Sequence, residues 1–209
     1  SAASDVYKRQ AKGLDNWRKD RLALFCNVNE EDIISNPDVE SIYEVPLILD
    51  QQKVAEKILK KFGLKPKKNQ DLKKWRQLVK RIKKIQASDQ KPIKIGMISK
   101  YQKVGDFELN DSYVSVVEAI KHAAWKNNLK PEIHWFNSEQ LARKNKGAIK
   151  KQLKAVNAII VPQGWGSRGV EGKIKAVQYA RENNLPYLGL CFGMQMAVIE
   201  FARNVLKLK

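Results

Sequence analysis

Cysteine, histidine and acidic side chains are scarce in this chain of 209 residues. Its two cysteines, Cys26 and Cys191, cannot build a disulfide framework, so a reduced, cytoplasmic protein is expected. No apolar run approaches the ~18 residues that a membrane-spanning helix needs. The N-terminus lacks the charged-then-apolar pattern of a secretory leader, and no membrane partner is expected. Asp and Glu number 22 against 40 Lys and Arg, a formal charge of +18. Such an excess can attract nucleic acid or polyphosphate, or it can simply solvate a surface. No helix-turn-helix, zinc or stacking-aromatic motif accompanies it. Lysine also outnumbers arginine, whose planar fork carries most specific base reading. A Lys-rich solvated surface is therefore the reading adopted, with no nucleic-acid partner. A basic nucleic-acid-binding module remains the alternative. The densest basic stretch, residues 65–91, has 11 Lys or Arg against 2 Asp, which fits an exposed helix and linker.

What is present centres on Gly189-Leu190-Cys191-Phe192-Gly193-Met194-Gln195. It follows a short apolar run, Pro186-Tyr187-Leu188, and precedes an apolar helix pattern over residues 196–205. Strand, Gly-x-Cys-x-Gly, helix is the layout of a nucleophile elbow. Glycine on either side removes a collision in a turn this tight and tolerates its backbone. The sulfur then sits at a helix N-terminus, where the dipole favours thiolate. A thiolate can attack an amide carbonyl and form a thioester. The plainer reading is an inert core cysteine between two glycines, since free cysteine is among the most buried residue types.

Along the chain three segments emerge. Residues 1–10 are polar, show no period and are set aside as a non-native leader; 1–20 are grouped as leader and domain remnant. Residues 21–64 carry an apolar strand at 22–28, a helical turn at 30–34, a break at Asn36-Pro37, an extended stretch at 39–43 and a helical region from Pro46 to Gly63. They look like the tail of an upstream α/β domain. Residues 65–91 form a linker with a helix capped by Asp71. Residues 92–209 alternate strands (93–99, 132–137, 158–162, 187–190) with helices (111–127, 146–153, 170–183 and one from Phe192). Such alternation predicts βαβ units and a flavodoxin-like parallel sheet with flanking helices. Sites in these sheets gather at the carboxyl ends of strands. Two loops fall there: the Cys191 turn and Pro162-Gln163-Gly164-Trp165-Gly166.

An attacked carboxamide places negative charge on oxygen, and backbone N–H groups must face it. Phe192, next after the cysteine, can give one; Gly164 is the candidate for another. Gln195, one helical turn on, can aim its amide at a substrate or merely face solvent. A histidine base normally serves a cysteine nucleophile. His122 falls inside a helix and His134 mid-strand, so both read as structural. The chain ends with the helix after the turn, and truncation at both ends is expected.

These residues resemble the CTP synthases, glutamine-hydrolysing ligases, over residues 21–206. The resemblance rests on Leu24-Phe25-Cys26-Asn27-Val28, Asp38-Val39-Glu40-Ser41-Ile42-Tyr43, Asp111-Ser112-Tyr113-Val114-Ser115-Val116, Arg168-Gly169-Val170-Glu171-Gly172-Lys173, Tyr179-Ala180-Arg181-Glu182-Asn183-Asn184 and the Gly189–Gln195 run. The turn alone would fit any class I amidotransferase, or a cysteine hydrolase of similar fold; the segments before Lys65 point to this family. The resemblance implies the end of an amidoligase domain (21–64), a linker (65–91) and the N-terminal half of a glutaminase domain (92–209). It implies CTP formation from UTP, ATP and glutamine. It further implies magnesium at a site outside this chain, GTP as activator, CTP as inhibitor and a homotetramer. By position, Cys191 resembles the nucleophile. Gly164, Phe192, Gly193, Met194 and Gln195 resemble glutamine-binding positions. Arg21 and Val39 resemble nucleotide contacts, and Arg168 lies in a loop linked to GTP activation. No residue is assigned to a metal, and the chain alone is expected to be inactive. Three departures stand out. Gln163 replaces a loop glycine, which would disfavour a positive backbone angle there. Phe192 stands where leucine is commoner, and Arg21 replaces a lysine. The loop 102–109 is also longer than in many relatives.

Overall fold

The computed structural model describes residues 7–10, 12–66, 71–100, 103–104, 107–108 and 110–208. The chain divides into two compact units, Ser1–Lys83 and Lys84–Lys209. The division falls within the stretch expected as linker.

In the first unit, strand β1 (Tyr7–Gln10) pairs in parallel with β2 (Ile34–Pro37), with Tyr7 opposite Ile34 and Gln10 opposite Pro37. Residues 7–10 are therefore not a structureless leader, and Asn36-Pro37 closes a strand instead of breaking the chain. The strand expected at 22–28 is absent: residues 22–26 are the end of helix α1 (Asn16–Cys26), and 27–28 form the turn after it. An apolar run this short fits either structure, and its caps decide. Asp15 accepts from Arg18 N at 2.9 Å, and Asn27 ends the helix in the left-handed region at φ 52°. Leu24 and Phe25 are left 76% and 77% exposed. The stretch expected as extended at 39–43 instead ends in a 3₁₀ turn (Ile42–Glu44), with Ser41 as its cap. Helices α2 (Val45–Gln51) and α3 (Val54–Lys61) follow. Between them Gln52 takes the place of a strand neighbour: Ser35 N donates to Gln52 Oε1 at 2.9 Å, and Gln52 Nε2 donates to Ser35 O at 2.7 Å. Asp71 caps α4 (Lys73–Gln86), accepting from Lys73 N at 2.8 Å. Trp75 Nε1 donates to Tyr43 O at 2.8 Å, and Val79 and Ile82 are buried.

The second unit holds a four-stranded parallel sheet. Its strands are β3 (Ile93–Ser99), β6 (Pro131–Asn137), β7 (Ala158–Val161) and β8 (Tyr187–Gly189), ordered β6-β3-β7-β8. A short antiparallel pair, β4 (Lys103–Val104) and β5 (Phe107–Glu108), lies in the long loop after β3; the rest of that loop is outside the described residues. Helix α5 (Val114–Lys126) leads to β6. Helices α6 (Ser138–Ala142) and α7 (Lys146–Leu153) lead to β7, α8 (Val170–Glu182) leads to β8, and α9 (Phe192–Asn204) follows the turn.

Alternation along the central strands feeds two cores. Ile98, Ile159 and Val161 pack with Leu141, Leu153, Ile174, Val177 and Met196. Met97 and Ile160 pack on the other face with Tyr113 and Ile120. Helix α6, absent from the sequence reading, is set by Asn137, whose Oδ1 accepts from Glu139 N at 2.8 Å. It crosses α8 so closely that a Cβ on Gly172 would lie 1.8 Å from Ser138 O.

Candidate active site

Strand β8 continues its bonding one step past its end: Leu190 N donates to Val161 O at 3.0 Å. The chain then reverses within one residue. Cys191 has φ 51° and ψ −103°, a sparsely populated conformation for any residue with a Cβ. Gly193 N donates to Leu190 O at 2.9 Å, and Gln195 N to Cys191 O at 3.2 Å, so the helix begins at once. The turn admits nothing larger than glycine at its shoulders. A Cβ on Gly189 would lie 2.6 Å from Gly193 C, and one on Gly193 would lie 1.9 Å from Val161 O. Tyr187 Oη donates to Gly193 O at 2.7 Å, tying strand to turn, and burial pushes its phenol pKa up. Cys191 itself is exposed at the head of α9. It is not the buried core cysteine of the plainer reading.

The neighbouring strand, β7, ends beside this turn. Pro162 and Gly164 are buried, while Trp165 is 80% exposed. Gln163 is not among the residues of positive φ, so its replacement of a glycine carries no backbone strain. The left-handed positions of this loop are Gly166 and Gly169, at φ 70° and 74°. A Cβ on Gly164 would stand 3.8 Å from Phe192 Cδ1, which sets Gly164 against the residue that follows Cys191.

The carboxyl ends of two adjacent strands thus bring together Cys191, Gly164, Phe192, Gly193, Met194 and Gln195. Met194 and Gln195 are exposed, Phe192 is half-buried and Gly193 is buried. Arg168 follows in the same loop, its Nε 2.8 Å from Glu139 Oε1. Arg21 and Val39 lie in the first unit. Arg21 sits over the Trp17 ring, 5.0 Å from its centroid, and Val39 is half-buried just after β2. His134 is on the edge strand β6, with β3 and β7 between it and β8, or roughly 14 Å at ~4.8 Å per strand. His122 is on α5, its ring 6.1 Å from that of Trp125. Among the described residues no group of His, Cys, Asp or Glu is placed to hold a metal ion.

Two lysines escaped the sequence reading. Lys173 on α8 is fully buried and donates from Nζ to Pro162 O at 3.1 Å. Burial, with Lys100 beside it, lowers its pKa from 10.5 to about 8. Lys100, 4% exposed at the end of β3, donates to Trp165 O and, at 3.1 Å, to Gly166 O. The only signal in the sequence was that Lys173 falls in the apolar stripe of Val170, Ile174 and Val177. A Lys there reads as snorkelling to solvent.

Residues 108–209, which take in three of the four sheet strands and the Cys191 turn, match the family described as glutamine amidotransferase class-I. Residues 3–64 match a second family, described as CTP synthase N-terminus. The CTP synthase of Sulfolobus acidocaldarius is 48% identical over 204 residues, which is 98% of this chain and 36% of that one. That of Sulfurisphaera tokodaii is 49% identical over 98% of this chain and 36% of its own length. That of Caldanaerobacter subterraneus subsp. tengcongensis is 48% identical over 91% of this chain and 33% of its own. Among solved structures, the glutaminase domain of Trypanosoma brucei CTPS with bound acivicin is 39% identical, with a TM-score of 0.49 over 55% of this chain and 42% of that one. Over nearly its whole length the chain is thus similar to CTP synthases. It spans about a third of the length of these curated relatives.

Proposed function

We propose that this chain supplies the nucleophile half of a glutaminase site in a protein that makes CTP from UTP, ATP and glutamine. One observation carries the reading: an exposed cysteine at φ 51°, on a glycine-flanked crossover from strand to helix, with a glycine loop from the adjacent strand beside it. In this reading Cys191 Sγ attacks the carboxamide carbon of glutamine. The oxygen becomes an oxyanion held by the N–H groups of Phe192 and Gly164. Collapse expels ammonia, the leaving nitrogen taking up the proton that the Cys191 thiol gave away, and leaves a glutamyl thioester on Sγ; water then releases glutamate. Met194 and Gln195, exposed on the first turn of α9, line the approach. The proton acceptor is neither His122 nor His134, and it lies in the part of the relatives that this chain does not span. The chain by itself then does not turn over glutamine.

The ammonia passes to UTP activated by ATP. The first unit carries the end of the amidoligase domain, with Arg21 contacting the pyrimidine nucleotide and Val39 contacting ATP. Arg168 belongs to the loop through which GTP stimulates hydrolysis. Magnesium, which the ATP step calls for, finds no fitting carboxylate cluster among the described residues. The whole protein works as a cytoplasmic homotetramer.

The test is Cys191→Ser in the whole protein. Glutamine-dependent CTP formation should fall at least about 10³-fold, as removal of a nucleophile does, while formation from added ammonium persists. Undiminished glutamate release by the Ser variant would refute the reading.

A further inference from the structure

Lys173 is an ammonium inside the protein, held by α8 under the loop that leaves β7. Besides donating to Pro162 O, its Nζ lies 5.1 Å from the Phe192 ring centroid and 3.2 Å from where a Cβ on Gly164 would be. It therefore lies beside both residues whose N–H groups are assigned to the oxyanion. Among the described residues the charge that faces it is another cation, Lys100. Lys100 reaches the carbonyls of Trp165 and Gly166 in the same turn. Two ammonium groups thus clasp three carbonyls within five residues. In a planar trans peptide the C=O and the following N–H point in opposite directions. Each carbonyl drawn toward a lysine turns the amide proton of its own peptide, on Gln163, Gly166 or Ser167, away from it, so the peptides held are those that bracket Gly164. Burying an ammonium is costly and a plain apolar side chain would fill the space without that cost, so the donor function is what distinguishes lysine here.

Resting on the glutaminase reading, we propose that Lys173 is a positioning residue of the oxyanion loop: by holding Pro162 O beneath the turn, it sets where Gly164 is presented to the carbonyl that Cys191 attacks.

Lys173→Met keeps the length and apolar packing and removes the donor. Hydrogen exchange on the whole protein should speed up at residues 163–166 by about tenfold or more, while β7 and α8 stay protected. Alkylation of Cys191 by iodoacetamide should stay within about twofold, since an exposed thiol does not need the loop. Glutamine hydrolysis should lose roughly 10–100-fold in kcat with little change in KM, as expected for misaligned oxyanion donors. Unchanged exchange at 163–166 overturns the proposal, whatever hydrolysis shows. Hydrolysis that survives Cys191→Ser refutes the glutaminase reading alone and leaves the exchange result standing. If the Met variant loosens the whole unit, Lys173→Gln decides, because its amide keeps a donor. Recovered protection at 163–166 supports the proposal, and exchange equal to that of the Met variant overturns it.

Discussion

Removing the buried charge at Lys173 should stabilise the protein at neutral pH even as it impairs the loop. The magnitude follows from the structure. A pKa lowered from 10.5 to about 8 means that, below pH 8, keeping the proton inside the fold costs about 3 kcal/mol relative to the unfolded chain. Lys173→Met abolishes that cost. It also leaves Pro162 O without its donor, a loss of about 1–3 kcal/mol. At pH 7 the variant should thus be equal to the wild type or up to about 2 kcal/mol more stable. Between pH 8 and 10.5 the unfolded chain binds more protons than the folded one, so wild-type stability rises through that window. The gain is lost as pH falls back through 8. The Met variant has no such slope; at pH 10 about 1 kcal/mol of the wild type's cost still remains, so the variant should be the less stable by up to about 2 kcal/mol. Urea unfolding of both proteins from pH 6.5 to 10.5 measures the difference directly, because other titrating groups are common to both. Parallel curves would refute the reasoning. So would a Met variant more than about 2 kcal/mol less stable at pH 7.

Two further expectations concern the same half of the molecule. Cys191→Gly should raise the thermal midpoint: it releases about 1–3 kcal/mol of backbone strain and costs only about 0.5–1 kcal/mol of unfolded-chain entropy, while abolishing glutamine hydrolysis; a lowered midpoint would show that the turn holds no strain. Glu200 on α9 is 1% exposed and accepts from Arg181 at 2.8 and 3.0 Å and from Asn204 at 3.0 Å. Burial pushes its carboxyl up, but the Arg181 and Asn204 hydrogen bonds and the Arg181 charge outweigh it and hold the pKa below 4.5. Its stabilisation is present above 4.5 and is lost as pH falls through the folded value. Arg181→Met should cost about 2 kcal/mol at pH 7 by denaturant unfolding, less than for a fully enclosed pair because Arg181 is 37% exposed, and the deficit should shrink in acid.

The sequence by itself determined the βαβ order of the second half, because long alternating patterns specify their own secondary structure. Tyr187 to Gln195 also announced the turn, since only glycine at Gly189 and Gly193 escapes the 2.6 Å and 1.9 Å contacts that a Cβ would make. Local pattern failed where the run was short and its surroundings decided. The apolar residues of α1 read as a strand, yet its caps wind it into a helix. Tyr7–Gln10 looked idle because their partner, Ile34–Pro37, is distant in the chain. Only the tertiary structure decided that Lys173 and Lys100 meet under one loop. No periodicity reports which solvent-seeking side chain a fold will enclose, since that depends on strand order and helix crossing. The same holds for Gly164 beside Phe192: the two are neighbours because β7 and β8 are adjacent in the sheet, a pairing set by the packing of both its faces.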